Sequence, residues 1–150
     1  MKNSLKWFIP FILLLICVSC KKNSSSEPPA PVADTTAPTI SLVDPVAGKS
    51  IALGALLHLQ MDLVDNKELK SYKVVIAKST KGVVTSDWAY SNTWTIAAGT
   101  KTFNVNHNEI TVPLTVTGNP TTTGSYNMTI TCLDASGNEA TKTISITLTN

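Results

Sequence analysis

The sequence predicts an all-β fold, an antiparallel β-sandwich, on three observations. Apolar and polar residues alternate with a period of two in run after run beyond Pro38, so each run has one face to bury. Clusters of Asp, Asn, Gly and Pro stand between the runs, where their chemistry makes turns. No stretch in that region carries the spacing of an amphipathic helix.

The chain has 150 residues and opens on Lys2 and Lys6, followed by the apolar run Trp7–Val18 and then Ser19-Cys20. A membrane-spanning helix needs roughly 20 apolar residues. This run is shorter and Pro10 interrupts it. It reads as a leader with a basic start, an apolar centre and a small residue before a cysteine. In these features it resembles a bacterial lipoprotein signal. The resemblance implies that residues 1–19 are removed and that Cys20 becomes the lipid-bearing first residue. Cys17 follows the bulky Ile16, whereas Cys20 follows the small Ser19, so Cys20 is the better lipidation site. An ordinary secretory signal is the alternative.

Residues 20–37 hold little that can pack, being Ser-rich and then Pro-rich. Such composition predicts a disordered linker. At ~3.1 Å per residue it could lift a domain about 50 Å from a lipid surface. Lys21 and Lys22 lie beside the acylated cysteine, where each gains on the order of 1 kcal/mol against anionic headgroups.

The expected domain covers 38–150. Thr39–Val43 is a β-branched run closed by Asp44-Pro45. Leu57, Leu59, Met61 and Leu63 alternate with His58, Gln60 and Asp62, and Asp65-Asn66-Lys67-Glu68 ends that run. Tyr72, Val74 and Ile76 form the next inward face. Ile110, Val112, Leu114 and Val116 are expected to form another, followed by Tyr126, Met128, Ile130 and Cys132. The last set is Ile144, Ile146 and Leu148, backed by a hydroxyl face of Thr143, Ser145, Thr147 and Thr149. Asp134-Ala135-Ser136-Gly137-Asn138 predicts a hairpin between the last two strands.

Tyr126 at the start of the penultimate strand resembles the tyrosine corner of immunoglobulin-like sandwiches, although the inter-sheet disulfide of antibody domains is absent. The segments DTTAPTISLVDP, DLVDNKELKSYKVVIA and GSYNMTITCLDASGNEATKTISITL are similar to those of bacterial immunoglobulin-like modules. These include cadherin-like and hyalin-repeat-like domains and small lipoproteins of Bacteroidota. That resemblance implies architecture more than activity.

Charge excludes one class of function. The net charge of +2 resides in the leader, and beyond it ten lysines face ten acidic residues with no arginine. A nucleic-acid partner would need a basic face, so none is expected. Catalysis is not expected either. His58 and His107 have no Cys or His at metal-ligand spacing around them, and each reads as an exposed or hydrogen-bonded histidine. No nucleophile elbow or phosphate-binding glycine loop is present. Cys132, the one thiol left outside the leader and anchor, reads as a small buried residue.

Two candidate binding sites remain. Trp88, Tyr90 and Trp94 share one parity, so on a continuous strand they share a face. They could form a platform for a sugar or a protein partner, or they could cap the core. The second is preferred because large aromatics more often bury than bind. The loops Asp65–Glu68 and Asp134–Glu139 should meet at one end of an immunoglobulin-like sandwich, with Asp34 close by. Asp65, Asn66, Glu68, Asp134 and Asn138 offer the oxygen ligands that Ca²⁺ prefers, against the plainer reading that they are turn residues.

Together these features point to a lipid-anchored envelope module that binds a partner or serves a structural role. The alternative is a calcium-stabilised adhesion or glycan-recognition module using residues 88–94. The resemblance to lipoproteins implies the outer membrane as the location. Lipoproteins exported to the surface customarily carry acids after the lipid cysteine, so Lys21-Lys22 favours the periplasmic face.

Overall fold

The alternating runs become strands that stack in two sheets. The computed structural model of the chain describes residues 32–79 and 84–150, with ten strands and no helix among them. In chain order they are β1 (Thr39–Asp44), β2 (Ser50–Ala52), β3 (Leu56–Val64), β4 (Leu69–Lys78) and β5 (Tyr90–Thr95). There follow β6 (Thr102–Thr111), β7 (Thr115–Val116), β8 (Asn119–Pro120), β9 (Gly124–Asp134) and β10 (Glu139–Thr149). The leader, Cys20 and residues up to 31 lie outside the described residues.

One sheet has the order β1-β3-β6 and the other β2-β10-β9-β4-β5. This is the immunoglobulin order, strands A, B and E facing G, F and C, with β5 as an added edge beside β4. The inner faces supply the core. Leu57, Leu59, Met61 and Leu63 from β3 are buried together with Val74 and Ile76 from β4 and Met128, Ile130 and Cys132 from β9. On β10 the polar parity faces out as its hydroxyls require, Ser145 being exposed while Ile146 and Leu148 are buried. Ile144 is only half-buried.

Two pairings differ from a simple antiparallel sandwich. The chain leaves β1, switches sheets and adds β2 beside β10 in parallel, over Thr147–Thr149. The expected strand through Ile110, Val112, Leu114 and Val116 stops at Thr111, and Leu114 is 64% exposed. Pro113 has no N–H for a ladder. Two residues of β6, Asn108 and Glu109, stand opposite the single His58 of β3, because Leu57 pairs with Ile110 and Leu59 with His107. This bulge shifts the inward parity by one, so Val105 and His107 on one side of it and Ile110 and Val112 beyond it all face the core side. The remaining two-stranded unit, β7–β8, turns through Thr117 and Gly118, both at positive φ (50° and 81°). That is the demand of a tight type I′ hairpin turn.

The tyrosine corner is present. Tyr126 is fully buried and its hydroxyl donates to the Thr122 carbonyl four residues upstream, at 2.7 Å. The same oxygen accepts from the Trp88 N–H at 3.3 Å.

Candidate functional site

At one end of the sandwich three chain segments converge. Thr39 pairs with Val64, so the start of β1 lies beside the end of β3, and Leu69 pairs with Asp134, which brings the β3–β4 turn to the β9–β10 turn. The Ala135 N–H donates to the Glu68 carbonyl at 2.9 Å and joins the two turns directly. Residues 32–37, which composition assigns to the linker, lie within the compact unit Val32–Asn150. Lys67 Nζ donates to the Val32 carbonyl at 2.8 Å.

Turn chemistry aims the carboxylates of this end. Asp65 Oδ1 accepts the N–H groups of Lys67 (2.8 Å) and Glu68 (2.7 Å), an Asx turn that holds the loop shut. Asp134 accepts the Asn138 N–H and its side-chain amide, both at 2.7 Å. Asp34 Oδ1 accepts from the Thr36 N–H and the Asn66 amide, each at 3.1 Å. The Asn138 amide also donates to the Asp34 carbonyl at 3.1 Å. Led by the Asn66 amide and the Thr36 N–H, these bonds hold the Asp34 carboxyl below its ordinary value of 3.8.

Asp34, Asp65 and Asp134 each bring a carboxylate oxygen into one cluster, all within 4.8 Å of one another. Asp65 and Asp134 are buried, and Asp34 is half-buried. Asn66 and Asn138 brace this cluster through their amides. Glu68 faces elsewhere, its Oε1 accepting from the Gly99 N–H at 2.9 Å. Cys132 lies buried nearby, its thiol pushed up to about 11 by burial and then by the charges of Asp65 and Asp134.

The aromatic residues lie between the sheets at the open seam between β5 and β6. Trp88 is buried, with its ring 6.0 Å from Tyr90 and 6.4 Å from Tyr126 between centroids. Trp94 and Tyr90 are half-buried. Trp94 stacks on Tyr72, its cross-strand partner, at 5.0 Å and 13° between planes. It also meets the His107 ring at 4.4 Å, and the three rings form a compact triangle, with His107 6.0 Å from Tyr72. His107 also binds the Tyr72 hydroxyl through Nε2 at 2.7 Å and the Glu109 carboxylate through Nδ1. If the phenol donates to Nε2, the Nδ1–H is left to donate to Glu109, so each bond has one proton. Burial first, and then the Glu109 and Tyr90 charges, push the Tyr72 hydroxyl up to about 12.

His107 escapes the period-two reading because the bulge hides its parity, and its partners, Tyr72 far upstream and Glu109 two residues on, form no motif with it. His58 bridges Asp44 and Asn106, with 3.0 Å from each ring nitrogen. Among the described residues, no helix is long and apolar enough to cross a membrane.

The family model described as "Domain of unknown function (DUF4625)" matches residues 18–149. No curated protein matches. Among solved structures, OgpA from Akkermansia muciniphila aligns at 14% identity and a TM-score of 0.46, over 75% of this chain and 29% of its own. Spo0M, a sporulation control protein from Bacillus subtilis, aligns at 14% identity and 0.41, over 77% of this chain and 50% of its own. A β-glucosidase from Listeria innocua in complex with glucose aligns at 12% and 0.37, over 73% of this chain and 16% of its own. The chain therefore spans half or less of each of these proteins.

Proposed function

The chain belongs to the DUF4625 family, and we propose that it is a lipid-anchored, non-catalytic structural module of the cell envelope. In this reading Cys20 carries the lipid and residues beyond it act as a tether. The sandwich serves as a spacer or subunit of an envelope assembly at the periplasmic face of the outer membrane.

The observation that carries the structural role over glycan recognition is the direction of the aromatics. Trp88 is 6% exposed, and the half-buried Trp94 lays its ring against both Tyr72 and His107, which also touch each other. Residues spent on packing two sheets together offer little flat area to a sugar ring. The Tyr72–His107 pair lies beside that same aromatic cover, its polar groups engaged by one another and by the exposed Glu109 carboxylate.

Two measurements test the proposal. Mass spectrometry of the mature N-terminus from envelope fractions should find acylated Cys20, and Cys20→Ser should release soluble chain or leave precursor. An unmodified N-terminus elsewhere would remove the anchor. Intact protein drawn from envelopes should bring a reproducible protein partner, while tryptophan emission should be indifferent to added envelope glycans. A saturable emission change with a glycan would transfer the role to recognition through residues 88–94.

A further inference from the structure

We propose that Asp34, Asp65 and Asp134 bind one Ca²⁺, and that this ion fastens the lead-in segment Val32–Pro38 to the turn end of the sandwich. The inference stands on its own observations, independently of the envelope role above.

Three carboxylate oxygens within 4.8 Å of one another are the first observation. Ca²⁺ holds its oxygens at about 2.4 Å, so an ion between two such groups spans up to about 4.8 Å. Acidic groups cluster on many proteins without an ion, and clustering alone assigns nothing. The second observation is the state of Asp65. It is 5% exposed, and its Oδ2 is buried without a hydrogen-bond partner, while Oδ1 satisfies the turn. Asp34 repeats the pattern, with Oδ1 engaged and Oδ2 buried and unpartnered. A buried carboxylate oxygen without a donor is costly, and a cation is what relieves it.

Charge strengthens the assignment. Among the described residues no lysine or histidine forms an ion pair with any of the three carboxylates; the pairs present involve Asp44 and Glu109. Like charges this close disfavour one another unless something positive stands between them. The ligating atoms are hard oxygens only, which suits Ca²⁺ rather than a softer transition metal. Mg²⁺ demands a shorter, stricter octahedron and gives up its waters reluctantly, so three fixed carboxylates at this spread favour the larger ion.

Location supplies the consequence. Asp65 follows β3 of one sheet, Asp134 ends β9 of the other, and Asp34 stands in the segment before β1. An ion shared by all three would cross-link both sheets and the lead-in at one point. Ca²⁺ should therefore protect Val32–Pro38 from hydrogen exchange more than it protects the strands.

The test uses the purified full chain with Ca²⁺, Mg²⁺ or EDTA. Calorimetry should show one Ca²⁺ bound per chain, with Mg²⁺ weaker. Near one hundred times the dissociation constant, Ca²⁺ should raise the melting temperature by several degrees. Exchange at Val32–Pro38 should slow with Ca²⁺ and not with Mg²⁺. Asp34→Asn lies outside every strand, so it spares the fold, and it should weaken Ca²⁺ at least about tenfold, as should Asp65→Asn. Melting and exchange identical in Ca²⁺ and EDTA would overturn the proposal. So would Ca²⁺ binding undiminished in Asp34→Asn, or Mg²⁺ equal to Ca²⁺ in every measurement.

Discussion

Tyr72 and His107 stand on opposite sheets and meet across the seam, phenol oxygen to imidazole Nε2 at 2.7 Å. Trp94 covers the pair from the β5 edge, stacked on one ring and close against the other. A polar bridge beside an aromatic cover ties β4 of one sheet to the edge strand β6 of the other, where no ladder joins them.

This bridge makes the fold sensitive to base. The Tyr72 hydroxyl is raised from 10.0 to about 12, so the folded state keeps a proton that the unfolded chain releases. Its contribution is complete below pH 10 and is lost as pH rises towards 12, because the unfolded state then binds fewer protons than the native one. Urea melts from pH 8 to 11.5 should show stability falling above about pH 10, by up to about 1.4 kcal/mol per unit from this group. Tyr72→Phe should be less stable at neutral pH yet decline less steeply in base. Parallel slopes for the two proteins would assign the alkaline loss to other groups.

Core substitutions on the last hairpin should separate by burial. Ile130 is fully buried on β9, and Ile130→Ala should cost about 2–5 kcal/mol. Ile144 is only half-buried on β10, so Ile144→Ala should cost less than Ile130→Ala. Ser145→Ala on the exposed face should stay within about 0.5 kcal/mol. Chemical denaturation of the three variants gives the order directly, and an equal loss at Ile144 and Ser145 would mean a different register.

The tyrosine corner can be tested with one atom. Tyr126→Phe removes the donor to the Thr122 carbonyl and the acceptor for the Trp88 N–H while keeping the ring. The expected loss is about 1–3 kcal/mol, since buried backbone groups are left without partners. A neutral result in thermal melts would mean that water takes over both bonds.

The end of β6 at Thr111, just before Pro113, carries its own prediction. Val112 is fully buried and Leu114 largely exposed, although both fall on one parity. Val112→Ala should cost about 1.5–3 kcal/mol, whereas Leu114→Ser should cost little. A reversed order would restore an uninterrupted strand from Ile110 to Val116.

Much of this architecture is legible one segment at a time. The runs at 57–63, 72–76 and 126–132 bury the residues that their alternation selects, and the Asp134–Asn138 turn joins β9 to β10 as its residues require. Parity marks Ile110 and Val112 correctly as core and fails at Leu114, beyond Pro113, where β6 has ended. Asn104, Asn106 and Asn108 are poor strand formers, and they obscured β6, whose pairing with β3 outweighs local preference.

Local pattern is enough for the all-β class, the inward faces of the main strands and the turns between them. Each depends on side-chain alternation or on Asp, Asn and Gly chemistry within a few residues. Long-range packing sets the parallel pairing of β2 with β10, the meeting of His107 with Tyr72, and the place of Asp34 rather than Glu68 beside Asp65 and Asp134. Those outcomes depend on which strand lies beside which and on where a bulge shifts the register. Such choices are made by burial across the whole sandwich, between residues dozens of positions apart, and leave no local periodicity to read.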